Sequence, residues 1–431
     1  MHHTAPRRIL AGKPACLYGW WFPAFPAAKA HKMYRVSNFI RHFARALLGG
    51  AALATLWVNL DPASYYDVME SRVLKLALPD WLLPEMTRVT PITLVSEALM
   101  ALFVFLLGKE LWEANMLERG ALHGRRAGLP FLATLGAMLG GVLVWTLTAS
   151  LIETAEEAGF ATGWAVPIGG DAVLAYVIGR RVFGKGSPAL HLLLLIAIGA
   201  DLAGLLAMLP TLSLSPARLM WLALPVAAAA LVWLGFGRHA QGRTERERQG
   251  ALHLWPYVLA GAASWFGVMA SGLPGALGLL PIIPAIPHAK RAFGLFAEAE
   301  ELLHDPLNRL AHLAVKPLLV VLFLFGLTRG GVDLMAFAPT TLVTLAAFWI
   351  GRPFGFLAGV ALARALGFAL PAGLARGDLA RMAALLGLGF TVPVLVLGSA
   401  LPGGAMAEAA RMGLALTLLL APALLLLCRA R

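Results

Sequence analysis

Charge is what this chain has least of. Asp, Glu, Lys and Arg make up 13% of its 431 residues and 59% are apolar, whereas soluble domains carry roughly 25% charge. That imbalance excludes a water-soluble globule. Acid is scarcer still, with 23 Asp and Glu against 35 Lys and Arg, for a net charge of +12. In a soluble protein such an excess points to nucleic acid; in a membrane protein the placement of Lys and Arg reports orientation, so no nucleic-acid partner is expected. Cysteine is nearly absent. Cys16 and Cys428 lie near opposite ends of the chain, and no Cys or His spacing around them resembles a metal site. No cofactor is expected.

What the chain has in quantity is long apolar runs. They fall near 44–60, 91–108, 128–150, 163–179, 188–209, 217–236, 252–271, 273–288, 312–328, 338–363, 382–400 and 407–428. A span takes roughly 20 apolar residues, so the pattern predicts an all-α polytopic membrane protein of about a dozen transmembrane helices in a lipid bilayer, with no large soluble domain. The loops alternate in charge. The tail to Arg45 carries base and no acid, and one set of loops holds Arg119, Arg125, Arg126, Arg180, Arg181, Lys185, Arg238, Arg243, Arg246, Arg248, Lys290, Arg291 and Arg309, while the opposite loops are poor in base and hold Glu153, Glu156 and Glu157. Cytoplasmic loops retain Lys and Arg, which places both termini in the cytoplasm. Residues 1–43 lack a helical period and a cleavage site and are expected to be a disordered tail, or a reading frame begun upstream of Met33. Residues 44–428 form the membrane domain and 429–431 its cytoplasmic end.

An ionisable group at membrane depth costs several kcal/mol, roughly, or is neutralised, so each is a functional candidate. Three are central: Asp171, Asp201 and Arg352, with Glu97, Lys109, Glu110 and Lys316 nearer helix ends. Blander readings stand beside these. Asp201 and Arg352 could form a fixed pair that pins two helices, and Glu97, Lys109 and Glu110 could be solvated or snorkelling ends. The fourth and eleventh segments are broken. One carries Pro167-Ile168-Gly169-Gly170-Asp171 at its middle, the other Gly387-Leu388-Gly389-Phe390-Thr391-Val392-Pro393. Unwound backbone at that depth survives only beside protein or a cavity, and two interrupted helices point to a transport site with half-helix ends facing each other. Asp171 or Arg352 would offset their partial charges.

These residues resemble those of the NhaA-type sodium/proton antiporters. The resemblance covers most of 40–428 and rests on Glu97-Ala-Leu-Met-Ala-Leu-Phe, the Leu-Gly-Lys-Glu110 end of that helix, Gly163-Trp-Ala-Val-Pro before Asp171, Ile-Gly-Ala-Asp201-Leu-Ala-Gly, Ile-Gly-Arg352-Pro-Phe-Gly and Gly387-Leu-Gly-Phe-Thr391. It implies twelve helices in two inverted repeats, with discontinuous helices four and eleven crossing beside a cation-binding carboxylate on helix five. That carboxylate is Asp201 by the resemblance; Asp171 matches the aspartate at the helix-four break, and Gly169, Gly170, Gly389 and Thr391 fall in the unwound stretches. Glu97 and Glu110 stand as acidic groups at the mouths of the ion path. The resemblance also implies the inner membrane of a bacterium, a role in pH homeostasis and a homodimer, although 61–90, where a dimer-forming hairpin would lie, is polar and marked by Pro62, Pro79 and Pro84.

The departures are specific. Such proteins typically carry a Thr before the helix-four aspartate, two adjacent aspartates on helix five and a lysine on helix ten; here stand Gly170, Ala200-Asp201 and Arg352. Gly272-Leu-Pro274 replaces a stretch that usually holds a histidine, and the acid–base cluster after helix two is thin. A lone carboxylate in low dielectric favours binding a proton or a cation over standing bare. Competition of Na⁺ or Li⁺ with H⁺ for Asp201 then gives antiport by alternating access, and one carboxylate beside an arginine that keeps its proton gives electroneutral 1:1 exchange. Arg352 serves as charge compensation. Alternatives are a non-transporting protein with a closed Asp201–Arg352 pair, and a sodium-coupled organic-anion symporter of the same architecture. An intramembrane aspartyl protease fits poorly, because neither Ile168-Gly-Gly before Asp171 nor Ile198-Gly-Ala before Asp201 matches such sites, so no enzymatic activity is expected.

Overall fold

The computed structural model describes residues 36–73, 89–116, 122, 124–152, 159–212, 216–238, 250–288, 305–371, 373–401 and 403–429. Of the expected disordered tail 1–43, residues 1–35 lie outside them, as do Glu153, Glu156, Glu157 and several basic loop residues; residues 36–43 are not tail but the first two turns of a helix, where Ile40 and Phe43 are buried against the bundle. Helices account for nearly all of these residues: α1 Val36–Leu60, α2 Pro62–Glu70, α3 Pro91–Met116, α4 Gly124–Ile152, α5 Phe160–Ile168, α6 Ala172–Phe183, α7 Pro188–Ala207, α8 Met220–Gly235, α9 Trp255–Ala270, α10 Gly275–Ala285, α11 Pro306–Arg329, α12 Pro339–Ala365, α13 Arg376–Leu386, α14 Thr391–Ala400 and α15 Ala405–Leu425. Proline opens many of them, where its missing N–H has no partner to lose.

Seven helices are long and apolar enough to cross a membrane, or up to nine if each bent pair is one span. The sequence pattern led to twelve. The difference lies at α8, α9 and α10, which occupy three of the expected segments but are shorter. Pro281 and Pro284 hold α10 in a tight 3₁₀ coil. The bent pairs are the expected broken segments: α5 and α6 meet at 51°, α13 and α14 at 43°. Among the described residues of the stretch 61–90, α2 is followed by a backbone bond from Val73 N–H to Val89 O, 2.9 Å.

On α4 from Ala133 onward, with the exception of Trp145, small residues face in and large ones face out, the reverse of a soluble helix. On α4, Ala133, Ala137, Gly141, Trp145 and Ala149 are buried at four-residue spacing, while Leu139, Leu143, Leu147 and Leu151 point outward. Lipid tails are as apolar as Leu, so close backbone approach rather than burial of large side chains drives helix association. Two such crossings organise the bundle. On α4 and α12, a Cβ at Gly136 would strike the Gly355 carbonyl, and one at Gly355 the Gly136 carbonyl. On α1 and α11, Gly50 and Gly326 stand in the same relation to Phe323 and Leu47.

Candidate ion site at the crossing of two broken helices

Breaking a helix in the bilayer strands backbone groups, and the sequence of each break determines how they are satisfied. After Ile168 the chain extends through Gly169 and Gly170, and Asp171 becomes the N-cap of α6, its Oδ1 accepting from Leu174 N–H at 2.8 Å. The second break runs from Gly387 to Phe390, the residue before α14. Asp171 ties the breaks together: its Oδ2 accepts from Thr391 N–H at 3.0 Å and from Thr391 Oγ1 at 2.5 Å. One carboxylate therefore caps two helix N-termini, where backbone dipoles present positive charge.

Arg352 does the converse. Its Nε donates to Leu386 O at the end of α13 (2.8 Å), and its Nη1 to Pro167 O (2.8 Å), Ile168 O (2.9 Å) and Gly169 O at the end of α5. A cation thus sits on the negative C-terminal ends of α5 and α13, the first halves of the two broken spans, and the Phe348 ring lies 5.3 Å from its guanidinium carbon. A π-helical turn, Ala347–Gly351, immediately precedes Arg352 on α12 and re-aims the side chain toward the breaks.

Asp201, on α7, is 0% exposed. Its Oδ1 accepts from Gly170 N–H at 2.6 Å and its Oδ2 from Ala172 N–H at 3.0 Å. No ion pair among the described residues joins it to Arg352. The closed pair weighed from the sequence is therefore not what the structure shows: the guanidinium is spent on carbonyls. A carboxylate has about four lone-pair sites, so the two N–H donors leave Asp201 room for a cation or a proton, whereas Asp171 accepts three bonds.

Gly170 explains how an arginine fits here. A Cβ added to it would lie 2.7 Å from Arg352 Nη2, and Arg352, held by its carbonyls, has nowhere to withdraw. Gly170→Ala is expected to cost about 1–3 kcal/mol, as overpacking does. Thermal unfolding in detergent measures it, and pairing the change with Arg352→Lys should cost less than the sum of the two single changes. Simple additivity would show that the two positions do not meet.

The remaining sequence candidates lie elsewhere. Glu97 accepts from Gly275 N–H at 2.5 Å, and its carbonyl accepts from Trp265 Nε1 at 2.8 Å. Glu110 lies 3.7 Å from Lys109 Nζ. Lys109 is not a snorkelling end: it is 1% exposed and pairs with Glu113 at 2.7 Å. Lys316 faces outward. Gly389 is part of the second break; its N–H donates to Thr417 Oγ1 at 3.2 Å, and the hydroxyl donates back to Gly389 O at 3.0 Å. Sequence reasoning missed Thr417, and also Arg329, whose Nε donates to Ser96 Oγ at 3.0 Å and whose Nη1 lies against Gly398 of α14. Arg329 ends an apolar run, where a cation looks like an ordinary boundary.

With this geometry in hand, comparison decides the family. The chain matches the Na⁺/H⁺ antiporter 1 family over residues 40–428. It belongs to that family. The Na(+)/H(+) antiporter NhaA of Jannaschia sp. is 41% identical over 399 residues, covering 88% of this chain and 94% of that protein. The NhaA of Geobacter metallireducens is 33% identical over 385 residues, with coverage of 88% and 94%. Among solved structures, the sodium proton antiporter MjNhaP1 of Methanocaldococcus jannaschii aligns with a TM-score of 0.43 at 15% identity, covering 90% of this chain and 96% of that one.

Proposed function

We propose that this family member exchanges Na⁺ or Li⁺ for H⁺ across the inner membrane of a bacterium by alternating access, with cation and proton competing for Asp201. The observation that carries the reading is the state of that carboxylate: fully buried, held by two backbone N–H groups at the helix break, and free of any ion pair among the described residues. Empty, it is an uncompensated charge in low dielectric, which disfavours movement of its helices; loaded with either ion it is neutralised, so only occupied forms cross and exchange is enforced. Arg352 and Asp171 neutralise the half-helix ends in every state and hold the crossing rigid around the site. The names of the NhaA relatives support the choice of ions, and the basic loops support cytoplasmic termini. A homodimer completes the reading.

Exchange is electroneutral on this account, because Asp171 is committed to Thr391 and Leu174 and Arg352 to four carbonyls, leaving one exchangeable carboxylate. The test is proton movement in proteoliposomes under an imposed pH gradient, with Na⁺, Li⁺ or K⁺ added and the voltage clamped by valinomycin and potassium. Na⁺- or Li⁺-dependent dissipation at a rate indifferent to the clamped voltage is expected. A voltage-dependent rate would mean that a second group titrates, and silence with every cation would overturn the reading itself.

A further inference from the structure

We propose that Arg329 is a gate: it closes the seam between two halves of the bundle at the end where α3 begins and α11 and α14 finish, and it must withdraw before Asp201 can be reached from that side, a role that rests on the alternating access proposed above. Packing defines the halves. One is built on the crossing of α1 with α11; α2 joins it through the Tyr65 hydroxyl, which donates to Leu327 O at 3.1 Å, and α3 through Ser96. On α3, a Cβ at Gly108 would strike the Leu280 side chain, which places α10 in the same half. The other half is built on the crossing of α4 with α12 and holds the ion site, since Arg352 of α12 serves both breaks and Asp201 of α7 binds the first.

At one end the halves touch. Arg329 is the last residue of α11, where a cation that merely complements the helix dipole would stay by its own carbonyls. Its Nε instead donates to Ser96 Oγ at 3.0 Å, within a π-helical turn, Leu94–Leu99, and its Nη1 lies 2.9 Å from where a Cβ of Gly398 would stand. A bare glycine lets α14 seat on the guanidinium. Beside it, Arg411 of α15 holds both Glu408 oxygens at 2.9 Å and donates to Gly331 O, just beyond α11, at 3.4 Å. Burial, and after it the neighbouring Glu408 carboxylate, push the Tyr66 phenol of α2 up to about 12.

At the other end the halves stand apart. A cavity of about 570 Å³ separates α3 and α10 from α4 and α7. Its nearest lining residue on α3 is Gly108, ~18 Å along the helix from Ser96 at 1.5 Å per residue. Tied at Arg329 and spaced at the cavity, the halves have the asymmetry that each end state of alternating access requires, and swinging them apart at the seam means pulling Arg329 off α14. An arginine keeps its proton, so the closed seam also presents a fixed positive charge that repels any cation entering there.

The test follows the thiol of Gly398→Cys in the full chain as it reacts with two thiosulfonates, one small and cationic, one carrying a bulky biotin arm. Mass spectrometry reads residue 398, so the native Cys16 and Cys428 do not count. Adding Arg329→Gln should raise the rate at least about tenfold with both reagents, because parted helices admit an arm larger than the guanidinium that was removed. No gain, or a gain confined to the small reagent, overturns the proposal. Ser264→Cys, fully buried on α9 against the Gly278 carbonyl, should keep its rate; an equal rise there would mean general loosening and would also overturn it. These rates need no transport. A second arm uses exchange: the Arg329→Cys/Gly398→Cys pair in proteoliposomes should dissipate ΔpH with Na⁺, stop when a bifunctional thiosulfonate bridges its thiols, and recover on reduction. Undiminished exchange by the bridged pair, or equal loss in a treated single-cysteine variant, overturns the gate. Silence of wild type alongside would overturn the exchange reading, with the labelling rates still deciding Arg329.

Discussion

Asp201→Asn is expected to reduce cation-dependent proton movement to that of empty vesicles while leaving a folded protein. An amide has one acceptor oxygen, so it keeps one of the bonds from Gly170 and Ala172 and turns its NH₂ toward the other. The cost of that mismatch is about 1–3 kcal/mol, which lowers the melting temperature without abolishing the fold. On the proposed mechanism transport, by contrast, loses its exchangeable charge: an amide neither takes up a proton near neutral pH nor offers Na⁺ a negative charge to balance its own, and Asp171 is tied to Thr391. Measurement of ΔpH dissipation alongside thermal unfolding separates the two effects. Retained exchange in the Asn variant would remove Asp201 from the mechanism.

Arg352→Ala is the change with the largest effect on stability. It leaves Leu386, Pro167, Ile168 and Gly169 carbonyls without their donor at the ends of two half-helices. Each buried acceptor left bare costs about 1–3 kcal/mol, and the sum approaches the ~5–15 kcal/mol that holds a whole domain together. The variant is expected to unfold or aggregate on extraction into detergent. Arg352→Lys keeps the charge and three donors on a single nitrogen, so it should fall between wild type and Ala in thermal stability. If Ala were as stable as wild type, the arginine would not be what satisfies the breaks.

Much of this site was legible from residues alone, for a physical reason. In a chain that is 59% apolar, Asp171, Asp201 and Arg352 stand out because each must be matched by something at membrane depth, and Pro167-Ile168-Gly169-Gly170 cannot run on as helix. The partners were not legible. That Arg352 spends itself on carbonyls rather than on Asp201 depends on the π-turn at Ala347–Gly351, whose sequence, Ala-Phe-Trp-Ile-Gly, carries no signal of an extra backbone residue in the turn. Lys109 was misjudged as a snorkelling end because nothing local shows that Glu113, one turn on, folds inward with it. The segments at α8, α9 and α10 have the hydropathy of spans but not the length; at α10 the reason is visible, since Pro274, Pro281 and Pro284 coil the chain where composition alone suggests straight helix. Gly170 was legible as a missing side-chain oxygen; that its bare Cα makes room for Arg352 needed coordinates.

The central claim is that one cation displaces one proton from one carboxylate. Adding Na⁺ to purified protein in weakly buffered solution with a pH indicator, over a series of starting pH values, counts protons released per cation bound. The account predicts that the ratio rises toward one as the starting pH falls, never exceeds one, and vanishes in Asp201→Asn; a ratio approaching two, or release that persists in the Asn variant, would contradict it.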